Sequence, residues 1–245
     1  MSTLETKKIE PLSGTTVTLG AAGDAVTMPA GVTVKTNTVK DAGGNTLWTS
    51  DGSGTLSSVN AGLAGGMIFI SSQTASSSAS VEFTSGIDST YDEYVFYFVD
   101  INPATDGSKF TFQINETGNS GFNNTDITST AFLVYHQEVG GATHLGYWAS
   151  GDLATSTSYQ ILTDGIGYAS DECMAGELHL FTPSNATYAT HFMSRSQHIY
   201  PHSGGPFCMG AYMSGYFENS AAIDEISFKM TSGNFDGNIY MYGIK

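Results

Sequence analysis

The chain has 245 residues, of which 8 are basic and 23 acidic, giving a formal charge of −15. Residues 1–60 carry net −1 and residues 61–245 net −14, so the larger part repels a phosphate backbone and a direct nucleic-acid partner is not expected. Two cysteines, Cys173 and Cys208, are too few for a disulfide framework, and no apolar run approaches the ~18–20 residues of a membrane span, so no membrane insertion is expected either.

Gly, Ser and Thr are abundant, and short alternating runs replace apolar residues at helical spacing. The predicted class is all-β. Residues 1–12 are polar, with Lys7, Lys8 and Pro11, and lack the apolar stretch of a signal peptide. They read as a docking tail on a chain made in the cytoplasm.

Residues 13–60 are strands of four to six residues separated by Gly-rich turns. Their apolar residues are too sparse to fill a private core, so the segment must stack on copies of itself. Three chains wound about one axis would share a narrow core in a short intertwined β stalk. The predicted trimer interface is Val17, Leu19, Val26, Val34, Leu47 and Trp48. Ala61–Gly66, AGLAGG, is a joint that closes the 13–66 module.

From residue 67 to 245 the pattern is that of a full β domain. Twelve strands are predicted, at Met67–Thr74, Ser80–Thr84, Tyr94–Ile101, Lys109–Asn115, Thr130–Glu138, Thr143–Ala149, Ser158–Leu162, Ala175–Phe181, Ala189–Ser196, Cys208–Phe217, Ile223–Thr231 and Asn238–Ile244. That number suits a jelly-roll-like β-sandwich. Tyr94–Ile101 and Lys109–Asn115 read as one hairpin, because Asn102-Pro103 and Asp106-Gly107 supply turn chemistry between them. Tyr94–Ile101 is apolar on both faces. In the second strand Phe110, Phe112 and Ile114 point to the core, while Thr111, Gln113 and Asn115 point away. Both cysteines read as small buried hydrophobes.

Chemistry-bearing motifs are few. His198 and His202 are four apart, but Pro201 between them breaks any helix that would bring them onto one metal. Asp88, Asp92, Glu93, Asp171 and Glu172 lie in acidic loops without EF-hand spacing. No metal, cofactor or catalytic residue is assigned, and no enzymatic activity is expected, since neither a nucleophile elbow nor a phosphate loop is present. Aromatic side chains on Gly-rich turns are the better candidates, because rings stack on sugars and anchor protein partners. They mark a predicted contact loop, His198, Tyr200, His202 and Phe207, and a second candidate at Tyr147 and Trp148.

Two segments carry a resemblance. KIEPLSGTTVTLGAAGDAVTMPAGVTVKTNTVKDAGGNTLWTSDGSGTLSSVN, residues 8–60, resembles the N-terminal repeat of virion fibre and tail proteins of tailed bacteriophages, notably those of marine bacteria. YDEYVFYFVDINPATDGSKFTFQ, residues 91–113, and IDEISFKMTSGNFDGNIYMYGIK, residues 223–245, look like the terminal β-sandwich of the same proteins. The resemblance implies an elongated homotrimer on a virion, docked to other virion proteins through its N-terminus. Its sandwich would meet a host-surface glycan or protein, as a tail fibre does. The same modules occur in head fibres and capsid decoration proteins, and more distantly in polysaccharide-degrading tailspikes. No catalytic motif carries over.

Overall fold

A computed structural model describes residues 36–50, 52–53, 56–59, 66–219 and 221–245. The predicted docking tail, 1–12, and the interface candidates Val17, Leu19, Val26 and Val34 lie outside the described residues. The chain divides into two units, Met1–Leu63 and Ala64–Lys245. All regular elements among the described residues are β-strands, so no helix there is long and apolar enough to cross a membrane.

The first unit contains an antiparallel three-stranded sheet of β1 (Thr38–Lys40), β2 (Thr46–Ser50) and β3 (Leu56–Val59), in that order. Asp41 builds the first turn. Its Oδ1 accepts a hydrogen bond from the Asn45 backbone N–H at 2.8 Å, and Gly44 takes the positive φ of +84° that the turn requires. Trp48 sits opposite Val39 on one side and Val59 on the other, making an apolar row across the sheet. Leu47 and Trp48 are half-buried, while Leu56 and Val59 are exposed.

The second unit holds β4 (Ile68–Ser78), β5 (Val81–Phe83), β6 (Glu93–Pro103), β7 (Phe110–Glu116), β8 (Ile127–Gln137) and β9 (Thr143–Tyr147). It continues with β10 (Gln160–Ile161), β11 (Met174–Phe181), β12 (Thr190–Tyr200), β13 (Phe207–Phe217), β14 (Ile223–Met230) and β15 (Phe235–Ile244). Each overlaps one of the twelve strands expected from alternation. They form an eight-stranded sheet, β4-β15-β6-β11-β12-β13-β8-β9, and a four-stranded sheet, β10-β7-β14-β5. The quartets β4-β15-β6-β11 and β5-β14-β7-β10 are wound as a jelly roll, with the first strand beside the last and the chain switching layers as it goes. Two insertions, β8–β9 and β12–β13, lengthen one layer only.

The layers meet through phenylalanines at alternate positions of facing strands. Phe228 of β14 is the hub, with ring centroids of Phe83, Phe96, Phe98, Phe110 and Phe112 at 6.3, 5.5, 5.3, 5.8 and 6.4 Å. Phe112 reaches past it to Phe192 and Phe217 on the lengthened part of the other sheet, at 5.2 and 6.0 Å. All these rings are almost completely buried.

Three expectations are corrected here. The segments Tyr94–Ile101 and Lys109–Asn115 are not a hairpin: β6 pairs with β11 and β15, and β7 with β14 and β10. The turn residues serve an arch between the layers, and its backbone bonds outward, Ala104 N–H to the Asn234 carbonyl and Gly107 N–H to that of Ile166. Sequence alternation is the same for either geometry, because strands facing across a core and strands paired in a sheet both need one apolar face.

The polar side of β7 is also covered. Thr111, Gln113 and Asn115 are buried, and the Gln113 amide donates to the carbonyls of Thr125, Thr157 and Ser158. Glu116 accepts from the Thr125 hydroxyl and the Ala221 N–H at 2.7 and 2.9 Å. Long loops thus lie over the four-stranded sheet and are held by hydrogen bonds with its buried polar side chains. Finally, the cysteines are free, Cys173 half-buried and Cys208 exposed.

Candidate functional site

The outer face of the eight-stranded sheet carries the unit's main surface chemistry. Period-two alternation in β8, β12 and β13 sends Ala131, Leu133, Phe192, Met209, Ala211 and Met213 into the core. The intervening residues must then face outward, and several are large and apolar. Phe132 is 44% exposed, Tyr212 38%, Met193 52% and Tyr147 63%. They cluster because the register sets Tyr212 opposite Phe132, and Phe132 opposite Tyr147.

Phe132 and Tyr212 stack with centroids 4.7 Å apart and planes 5° from parallel. That separation equals the spacing of adjacent strands, so the two rings stand side by side on neighbouring strands. One face of each ring is used in the stack. On its other side Tyr212 neighbours β12, where Arg195 is its register partner.

Across from the rings lies a polar line. Arg195 Nε donates to Glu177 Oε1 at 2.7 Å, His179 Nε2 lies 3.3 Å from the same oxygen, and His179 Nδ1 lies 2.5 Å from Glu93 Oε1. These residues come from β12, β11 and β6, brought together by the pairing of Glu177 with Arg195 and of Phe181 with Glu93. Between rings and polar line runs a groove of about 550 Å³, walled also by Met193 and floored near Thr130 and Ser214. It continues past His191 and Tyr216 in a second depression of about 520 Å³. Among the described residues no group of three or more His, Cys, Asp or Glu is arranged to hold a metal ion.

The predicted contact loop is largely internal. β12 runs four residues beyond its expected end at Ser196, which puts His198 on its inner face with zero exposure. Neither ring nitrogen has a hydrogen-bond partner among the described residues. Burial lowers the His198 pKa to about 4, with nearby Lys109 lowering it and Asp164 raising it. Tyr200 and Phe207 are half-buried, and Phe207 packs edge-on against Tyr200 and His202 at 6.1 and 5.1 Å. Only His202 is fully on the surface.

The second candidate pair divides. Trp148 is buried, with Lys109 Nζ 5.5 Å from its ring centroid. Tyr147 is exposed on the aromatic face, and its hydroxyl donates to Asp152 Oδ2, which raises the phenol pKa.

Phe132, Met193 and the Glu177–Arg195 pair were not singled out from sequence, whereas Tyr212 stands out there as one of the aromatic residues of the Gly-rich segment 195–217. In TAFLVYHQ both alternation phases are apolar, so parity alone does not choose the face on which Phe132 lies. Neither a protein-family model nor a curated protein matches the chain.

Proposed function

We propose that the chain is a virion fibre subunit of a tailed bacteriophage, a tail fibre that attaches to the host surface through the 67–245 sandwich. Three copies would assemble through residues 13–60, and residues 1–12 would dock on other virion proteins. The observation that carries the reading is the aromatic outer face of the eight-stranded sheet. Four large side chains are held there in solvent by a rigid scaffold, beside a fixed line of polar groups. Exposed contiguous rings of this kind mark binding surfaces.

Trimerisation is supported by the half-exposed row Val39–Trp48–Val59, which a single three-stranded sheet does not cover. The resemblance of residues 8–60, 91–113 and 223–245 to fibre modules supports the location. Function would come from avidity, since three weak sites on one fibre act together. Retention of the purified chain on cells that the virion infects, with antibody labelling at the tail, is the expected result. Labelling on the capsid shell would make it a head fibre or decoration protein, and release of reducing sugar from host polysaccharide would make it a spike enzyme.

A further inference from the structure

We infer that the groove between the Phe132–Tyr212 stack and the Glu177–Arg195 pair is a saccharide site, built for a neutral oligosaccharide. This rests on the attachment reading and names the ligand class of that surface. A pyranose has one face of C–H bonds and a rim of hydroxyls that both donate and accept. The groove offers the matching pair of walls. The Tyr212 ring, 38% exposed, lines one side, and Glu177 and Arg195 present an acceptor and several donors on the other. The Thr130 and Ser214 hydroxyls at the floor can do either.

Size and charge narrow the ligand. Each of the two joined depressions, about 550 and 520 Å³, falls in the ~300–1,000 Å³ range of small-molecule sites, so the pair takes a short chain. Among the described residues that line the groove Arg195 is the one Lys or Arg, and its charge is already matched by Glu177 at 2.7 Å. With net −14 over residues 61–245, the surroundings repel a polyanion. A second copy of the chain fits less well. The centre of a protein interface is depleted in charge, whereas this groove has Glu177 and Arg195 along one wall.

The test is calorimetric titration of the full chain with four neutral hexasaccharides, of glucose, mannose, galactose and N-acetylglucosamine units, and with heparin as a polyanion. At least one neutral hexasaccharide is expected to bind. Tyr212→Ala and, separately, Glu177→Gln are expected to weaken it at least about tenfold. Tyr188→Ala, which removes a ring that is 72% exposed outside the groove, is expected to leave it unchanged. Phe132→Ala serves as the second ring variant, and urea unfolding confirms that each variant is folded.

Binding of none of the four, binding of heparin alone, or neutral binding indifferent to both ring variants overturns the inference. So does dissociation of the assembly by Tyr212→Ala in sedimentation, which would give the face to a second copy. Cell retention separates the two readings. Cells that retain wild type and Tyr212→Ala equally would sink the saccharide site and leave the fibre reading. Cells that retain neither would sink the fibre reading, whatever the sugars do.

Discussion

Phe228→Ala tests the architecture most directly, because every feature of the outer face depends on how the two layers are held. The side chain is fully buried and touches five other rings, from both layers. Truncating a buried Phe costs about 3–5 kcal/mol through lost transfer energy and the cavity left behind. Ring pairs add about 0.5–1.5 kcal/mol each beyond area, although contacts that share one ring do not sum. The expected loss therefore lies near about 5 kcal/mol, a large fraction of the ~5–15 kcal/mol of a typical domain. Phe228→Leu, which refills part of the space, should lose about 1–2 kcal/mol. Phe132→Ala, with 44% exposure and one stacked partner, should lose about 1 kcal/mol or less. The assay is urea unfolding of the full chain in a Trp48→Phe background, so that buried Trp148 reports on the sandwich alone. A loss below about 1.5 kcal/mol for Phe228→Ala, at unchanged m, would refute the packing of the two sheets through this ring.

Three further outcomes follow from the structure. His198 is held neutral by burial, with a folded pKa of about 4 against an ordinary 6.5, so the unfolded chain binds its proton first as pH falls. Its contribution is intact above pH 6.5 and is lost as pH drops toward 4; between pH 7.5 and 4.5 wild type should lose about 2 kcal/mol more than His198→Leu in urea unfolding, and equal losses would contradict the burial argument. Gly176→Ala should cost about 1–3 kcal/mol, because an added Cβ would lie 2.6 Å from the Arg195 carbonyl oxygen, and backbone there can yield only by parting β11 from β12; a change under about 0.5 kcal/mol would count against that pairing. Trp48→Ala should weaken trimer assembly in sedimentation at micromolar concentration while the sandwich unfolds as in wild type; an unchanged trimer with lost virion attachment would make Trp48 a docking residue.

The strands were legible because a strand with one buried face alternates, whatever it pairs with. Ala175–Phe181 and Met174–Phe181, expected and observed, differ by one residue. What alternation omits is the partner. Phe110, Phe112 and Ile114 have the same pattern in a hairpin as in a layer facing β6, so the turn residues between them suggested the nearer solution. The outward set on β7 was misread for a related reason. Gln113 and Asn115 are polar in sequence, but local pattern cannot show that residues over 40 positions away, such as Thr157, would lie across them. His198 was closer to reach. Thr190, Phe192, Ser194 and Ser196 point inward at alternate positions, and extending that parity by two residues carries His198 into the core. The polar character of Gln197-His198 and the following Tyr200-Pro201 suggested a loop instead.

The aromatic face was hidden because it is a product of register, and its place in the topology bears on its role. The jelly-roll quartets alone would close a complete sandwich, with β11 as an edge of one sheet. Phe132, Tyr147, Met193 and Tyr212 all lie on β8, β9, β12 and β13, the strands added beyond that edge. The inner faces of β8 and β13 are filled by Ala131, Leu133, Met209, Ala211 and Met213 and that of β12 by Phe192, so this part of the addition is packed as core on one side. On the other side it supplies a wide surface that the jelly roll does not need for its own closure. Glu177 and His179 on β11 are at the seam, where the original edge meets the added strands, and Arg195 reaches them from the first of these. The groove therefore runs along the junction between the winding that makes the fold and the insertions that enlarge it. Rings and polar groups there can change without altering the Phe228 core behind them, the separation that a recognition surface on a durable scaffold requires.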